Sequence, residues 1–177
     1  FNPEQFRQHF PLVFNYGLEN SKSEKRAPLV YFDNGATTQK PDCVIDCHQG
    51  FYQNINANVH RSSHLLSAKA TADFEQARDI AKNFINASNT KEIIWTKGTT
   101  ESINLIAASL GKQILNAGDE IIIAVSEHHA NIVPWQVIAK STEATVKVLP
   151  LDASGKIDLI SFDKLLSDKT KIVCCAH

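Results

Sequence analysis

The chain has 177 residues, 43% of them apolar and 21% charged, which is enough for a domain with a core of its own and ordinary for a globular protein. A net charge of −1 gives no electrostatic reason to expect nucleic acid or an anionic membrane as partner, and no apolar run is long enough to span a bilayer. The opening Phe1-Asn2-Pro3-Glu4 lacks the basic start and apolar centre of a signal peptide, so a cytoplasmic location is expected.

Residues 3–12 read as a short amphipathic helix with Phe6 and Phe10 as its apolar contacts, and residues 15–28 as a polar surface loop. Leu29–Phe32 has the composition of a short strand, stopped by the turn signature Asp33-Asn34-Gly35. Pro41 suits the first position of a helix running to about Gln53. The next helix is expected over Ser67–Asn86, with Phe74, Ala77, Ala81, Phe84 and Ile85 as its apolar stripe.

From there strand and helix alternate. Strands are expected at Ile93–Thr96, Glu120–Val125, Thr145–Leu149 and Lys171–Cys175. Helices are expected at Thr99–Leu115, at Ile132–Lys140 with Pro134 tolerated in its first turn, and at Ser161–Leu166. Short loops and strands apolar on both faces predict an α/β fold with a parallel or mixed sheet covered by helices. Cys43 and Cys47 share one helix face, while Cys174 and Cys175 point to opposite faces of a strand. With neither a CxxC nor a Cys/His finger spacing, all four are expected to be buried reduced thiols.

Three polar clusters carry the chemistry. In Trp95-Thr96-Lys97-Gly98-Thr99-Thr100-Glu101-Ser102, a glycine and two hydroxyls open a helix, and backbone N–H groups at such an end attract phosphate. Lys97 precedes the glycine, so the turn is not a P-loop, and the same residues also suit a plain helix cap. In Ser126-Glu127-His128-His129-Ala130-Asn131, a histidine follows the carboxyl end of an apolar strand, where open α/β sheets bind ligands. There an imidazole can lie over a flat ring or move protons. In Asn58-Val59-His60-Arg61-Ser62-Ser63-His64, Arg61 suits a carboxylate or phosphate clamp. No acidic ligand or HExxH accompanies these histidines, so no metal site is expected. The residues alone leave two further readings open. One is a stand-alone phosphate- or nucleotide-binding α/β module; the other is a metal-binding protein built on His60, His64, His128 and the cysteines.

Taken together, Tyr31 to Pro41, Asn58 to Arg61, Gly98 to Leu105 and Glu127 to Trp135 resemble the cysteine desulfurases of the class V aminotransferase group. The resemblance is nearest to the Suf/Csd branch, which includes cysteine sulfinate desulfinase. It implies the N-terminal part of a fold type I, aspartate-aminotransferase-like enzyme dependent on pyridoxal 5′-phosphate (PLP). Residues 1–40 would be an N-terminal segment associated with the small domain, and 41–177 the first part of the PLP-binding large domain. By resemblance Thr99 and Thr100 bind the cofactor phosphate, and His128 stacks on the pyridine ring and acts catalytically. Gly35, Ala36, His60 and Arg61 would lie near the substrate entrance, with Gly35 replacing the family's usual alanine. The implied chemistry converts L-cysteine or cysteine sulfinate to alanine. The sulfur passes to an enzyme cysteine as a persulfide, and then to a SufE/CsdE-type acceptor protein for iron–sulfur cluster assembly. The implied full protein is a homodimer. The family's Schiff-base lysine and nucleophilic cysteine match no residue here, so the 177-residue chain is expected to be inactive by itself, without covalently bound PLP.

Overall fold

The computed structural model describes residues 1–16, 29–60 and 63–176. The chain divides into two compact units, Phe1–Ile93 and Ile94–His177.

The first unit is helical. The expected single helix at residues 3–12 is two, α1 (Pro3–Arg7) and α2 (Pro11–Asn15). The break follows from Pro11, whose ring disfavours a helical conformation in the residue before it, and Phe10 is extended. Asn2 caps α1 by accepting from the Glu4 and Gln5 amides at 3.1 and 3.2 Å. The Arg7 guanidinium donates to the carbonyls of Val13 and Leu29. Leu29–Phe32 forms no strand, because no segment among the described residues offers it a ladder, and Phe32 is 93% exposed.

Pro41 caps α3 (Asp42–Asn54) from just outside the helix rather than from its first position. Helix α4 (Leu65–Phe84) begins two residues earlier than its pattern suggests, with the His64 ring as its cap. Its covered face runs Ser67, Thr71, Phe74, Arg78, Ala81. The expected stripe is therefore corrected: Ala77, Phe84 and Ile85 are exposed, the last two lying at the carboxyl end of the helix. A 3₁₀ turn at Thr90–Glu92 follows, closed by a reciprocal capping box between Asn89 and Glu92.

The second unit is α/β. The expected strand at Ile93–Thr96 has no ladder among the described residues, and Ile94 and Trp95 are largely exposed. Helix α5 (Thr99–Ile106) passes into a π turn at Ala107–Gly111 and then α6 (Lys112–Ile114), so the expected helix to Leu115 is one run with an interruption. The π turn lies where Gly111 meets α7, and a Cβ on Gly111 would stand 3.4 Å from the Trp135 ring. Strand β1 (Glu120–Ala124) leads through a loop and a 3₁₀ turn at His129–Asn131 into α7 (Val133–Thr142). Strand β2 (Thr145–Leu149), α8 (Leu159–Leu165) and β3 (Thr170–Cys174) complete the unit.

Both pairings of the three-stranded sheet are parallel, in the order β2-β1-β3, with a register shift at Glu120/Ile121 that leaves Lys171 without a strand partner. The alternation predicts an α/β fold with a parallel or mixed sheet, and the sheet is parallel. The central strand alone is buried on both faces, with Ile121 and Ile122 fully covered. One face packs on Ala107, Leu115, Trp135, Ile138 and Ala139, and the other on Leu149 with Ile157, Phe162 and Leu165. At the amino end of the sheet, Glu120 accepts from Lys147 Nζ at 2.7 Å and from the Ser167 hydroxyl at 2.6 Å. Among the described residues no helix is long and apolar enough to cross a membrane.

Candidate functional site

Two features of the second unit build the site. The first is the start of α5. Gly98 stands at the cap position, and among the described residues no side chain makes a capping hydrogen bond to this helix start. Both threonines are exposed, and among the described residues neither hydroxyl has a hydrogen-bond partner. The neighbouring polar groups are committed elsewhere. Thr96 Oγ1 and Ser102 Oγ bond at 2.7 Å, and Glu101 accepts from the Lys97 amide at 2.6 Å. A Cβ added to Gly98 would meet nothing within 4 Å. The result is an open set of donors at the positive end of a helix, and a phosphate group fits that chemistry.

The second feature is the loop at the carboxyl end of β1. His128 is exposed, and its Nδ1 accepts from the Ala130 amide at 3.1 Å. That bond leaves the neutral ring protonated at Nε2, which has no hydrogen-bond partner among the described residues. Helix α5 packs against the 3₁₀ turn that follows His128.

Beneath the loop lies a group the sequence reading named without assigning it a role. Glu127 is buried. Its carboxylate accepts from Asn131 Nδ2 at 2.7 Å and from the Ala176 amide just past β3. Asn131 Oδ1 in turn accepts from Trp135 Nε1 at 2.9 Å. The signal was present in the sequence as Glu127, Asn131 and Trp135 at four-residue spacing, but a spacing of four does not show that the side chains bond. Beside this carboxylate, burial pushes the Cys174 thiol up to about 12, with the Glu127 and Cys175 charges adding to the effect. Cys174 is therefore a neutral core thiol. The expectation that all four cysteines are buried is corrected: Cys43, Cys47 and Cys175 are exposed, the first two on the open face of α3.

The remaining expected site residues lie in the first unit. Gly35 and Ala36 occupy a turn closed by the Ala36 and Thr37 amides donating to the Asp33 carbonyl at 3.2 and 3.0 Å. Gly35 has neither a positive φ nor a crowded Cβ position, so the turn accepts an alanine there. His60 adopts a left-handed conformation, with φ 65°, and its amide donates to Thr71 Oγ1 at 2.9 Å. Its ring stands edge-on to Phe74, 5.2 Å between centroids, and 3.5 Å from Glu75. His60 and His64 do not share a helix face, since His64 is the cap of α4 and His60 precedes it. Among the described residues no three His, Cys, Asp or Glu side chains converge on a metal-sized site. Arg61 lies outside the described residues.

A parallel sheet with a donor-lined helix start and a histidine at its carboxyl edge is the class of α/β arrangement whose chemistry suits a phosphorylated, flat-ringed ligand. Comparison with known proteins narrows that class. Residues 30–177 match aminotransferase class-V, and the chain belongs to that family. A probable cysteine desulfurase of Vibrio cholerae is 53% identical over 150 residues, which are 85% of this chain and 37% of that protein. The crystal structure of the Escherichia coli cysteine desulfurase CsdA superposes with a TM-score of 0.77 at 40% identity, covering 98% of this chain and 40% of that one. The apo cysteine desulfurase of Thermococcus onnurineus NA1 gives a TM-score of 0.81 at 34% identity, covering 97% and 39%. The chain thus spans well under half the length of these relatives.

Proposed function

We propose that this chain is the cofactor-phosphate and ring-stacking portion of a PLP-dependent cysteine desulfurase. The carrying observation is the Thr99–Thr100 helix start, on a helix that packs against the turn following a histidine whose Nδ1 is already occupied. When bound, PLP supplies an electron sink for the bonds broken at the substrate carbon atoms. The Thr99 and Thr100 amides and hydroxyls hold its phosphate. The His128 ring covers the pyridine face and presents the Nε2 proton to the reacting groups. Residues 1–40 belong with the small domain and 41–177 with the start of the large domain. Gly35, Ala36, His60 and Arg61 line the approach of L-cysteine or cysteine sulfinate.

In this reading the whole protein works as a homodimer. It releases alanine and hands persulfide sulfur to a SufE/CsdE-type acceptor that feeds iron–sulfur cluster assembly. In this reading no lysine or cysteine of these 177 residues takes the Schiff-base or nucleophile role, and the chain alone is expected to release no sulfide.

Titration with pyridoxine 5′-phosphate, followed by amide and imidazole NMR shifts, tests the assignment. The Thr99 and Thr100 amides and the His128 ring should move together, and pyridoxine without its phosphate should bind far more weakly. Thr100→Val should weaken the phosphorylated ligand about fivefold, the loss of one hydroxyl contact of about 1 kcal/mol. A Thr100 amide that ignores the phosphate would reduce the turn to a helix cap and overturn the reading.

A further inference from the structure

The loop carrying His128 has no regular structure between β1 and the 3₁₀ turn at His129–Asn131, yet its histidine must be aimed for the proposed chemistry to work. Four hydrogen bonds hold it. The Glu127 carboxylate, at the floor of the loop, receives the Ala176 amide on one oxygen and Asn131 Nδ2 on the other. Asn131 closes the loop from its far side, its amide donating to the His128 carbonyl at 2.7 Å. Trp135, buried in the core, holds the Asn131 side chain in place through Oδ1. His128 therefore sits between two residues that are both fastened to the sheet or to α7.

We propose that Glu127 is a positioning residue for His128: it ties the loop after β1 to the end of β3 and thereby sets the direction and the tautomer of the imidazole. The role rests on the desulfurase reading only for its purpose; the tie itself lies wholly within this chain. The chemistry suits an ionised carboxylate. Glu127 faces two N–H donors, and Cys174, whose thiol feels the Glu127 charge, stays neutral. A neutral amide at this position offers one accepting oxygen, and its NH₂ group meets another N–H. A carboxylate buried without such partners would be strongly disfavoured.

The test uses the 177-residue chain, its Glu127→Gln and Glu127→Ala variants, and ¹⁵N-resolved imidazole spectra together with amide hydrogen exchange. The unmodified chain should show His128 as a single Nε2-protonated tautomer and a protected Ala176 amide. Glu127→Ala should speed exchange at Ala176 on the order of tenfold and turn His128 into a mixture of tautomers. Glu127→Gln, which keeps one acceptor, should restore part of both. Unchanged His128 ring signals in Glu127→Ala, with or without faster exchange at Ala176, would overturn the proposal and leave Glu127 a structural tie only. Should Glu127→Ala fail to fold, the same criterion applies to Glu127→Gln.

Pyridoxine 5′-phosphate separates this inference from the reading it rests on. In the alanine variant the Thr100 amide should still respond to the ligand while the His128 ring no longer does. A His128 ring that ignores the ligand in the unmodified chain would sink the desulfurase reading. The tautomer and exchange measurements on the free chain would still decide the role of Glu127.

Discussion

The two units use apolar residues differently. In Ile94–His177, three parallel strands give every apolar side chain of β1 something to lie against, and Ile121 and Ile122 are fully covered. In Phe1–Ile93 no ladder forms among the described residues. Phe32, Leu65 and Phe84 stay more than 80% exposed, and the best-buried side chains are Ala70 and Ser67. What orders the loop before α4 is polar instead. The Ser67 hydroxyl donates to the Asn58 carbonyl at 2.6 Å, and Thr71 Oγ1 accepts from the His60 amide at 2.9 Å. One unit is held by sheet packing; the loop that carries His60 in the other is held by two hydroxyls on a helix face.

The widest separation between the units should come from truncating one aromatic in each. Trp135→Ala empties the core beneath β1 and should cost about 3–5 kcal/mol. Phe84→Ala removes a ring that is 90% exposed and should change stability by less than about 0.5 kcal/mol. Urea unfolding of both variants measures the difference, and similar midpoint shifts would mean that the units do not differ as described. A smaller loss is expected from Ser67→Ala. It strands the Asn58 carbonyl and should cost about 1 kcal/mol, with faster amide exchange at His60 and little change in the exchange of β1.

Acid sharpens the contrast at the other end of the sheet. Hydrogen bonds from Lys147 and Ser167, with the Lys147 and Lys169 charges adding, hold the Glu120 carboxyl below its usual range. A carboxyl depressed in the folded state contributes stability above its unfolded value. That contribution is lost as the pH falls from about 4.3 through the lowered value. Glu120→Gln should therefore be less stable than the unmodified chain at neutral pH, with the gap closing as the solution is acidified. Thermal melts at a series of pH values follow it, and a gap that persists at acid pH would discount the Lys147 and Ser167 contacts. The smallest effect belongs to Gly35→Ala. That turn has ordinary backbone angles and open space at the Cβ position, so its melting temperature should stay within a degree or two.

Much of the second unit was legible because its signals are local. An unbroken apolar run at Ile121–Ala124, bounded by the Gly118 turn and a polar loop, has few alternatives to a buried strand. The helix start at Gly98-Thr99-Thr100 could be read as a donor site from its residue types alone. The same rules failed at Leu29–Phe32 and Ile93–Thr96, where apolar composition was right for a strand. A strand exists only where a second segment completes its hydrogen bonds, and no local pattern carries that information. The stripe on α4 was misjudged for a related reason: periodicity names apolar positions, while the neighbouring elements choose which side is covered.

By itself, then, the sequence determined the alternation of helices and strands after Gly98, the parallel or mixed sheet which that alternation requires, and the residue types able to meet a phosphate and a flat ring. Only the tertiary structure decided that β1 is the central strand, that Cys174 alone among the cysteines is buried, and that Glu127 reaches across to Ala176. The physical reason is range. Capping, periodicity and turn chemistry act over a few residues and are written in order along the chain. The Glu127–Ala176 bond joins positions 49 residues apart, and they meet only after β1 and β3 have paired.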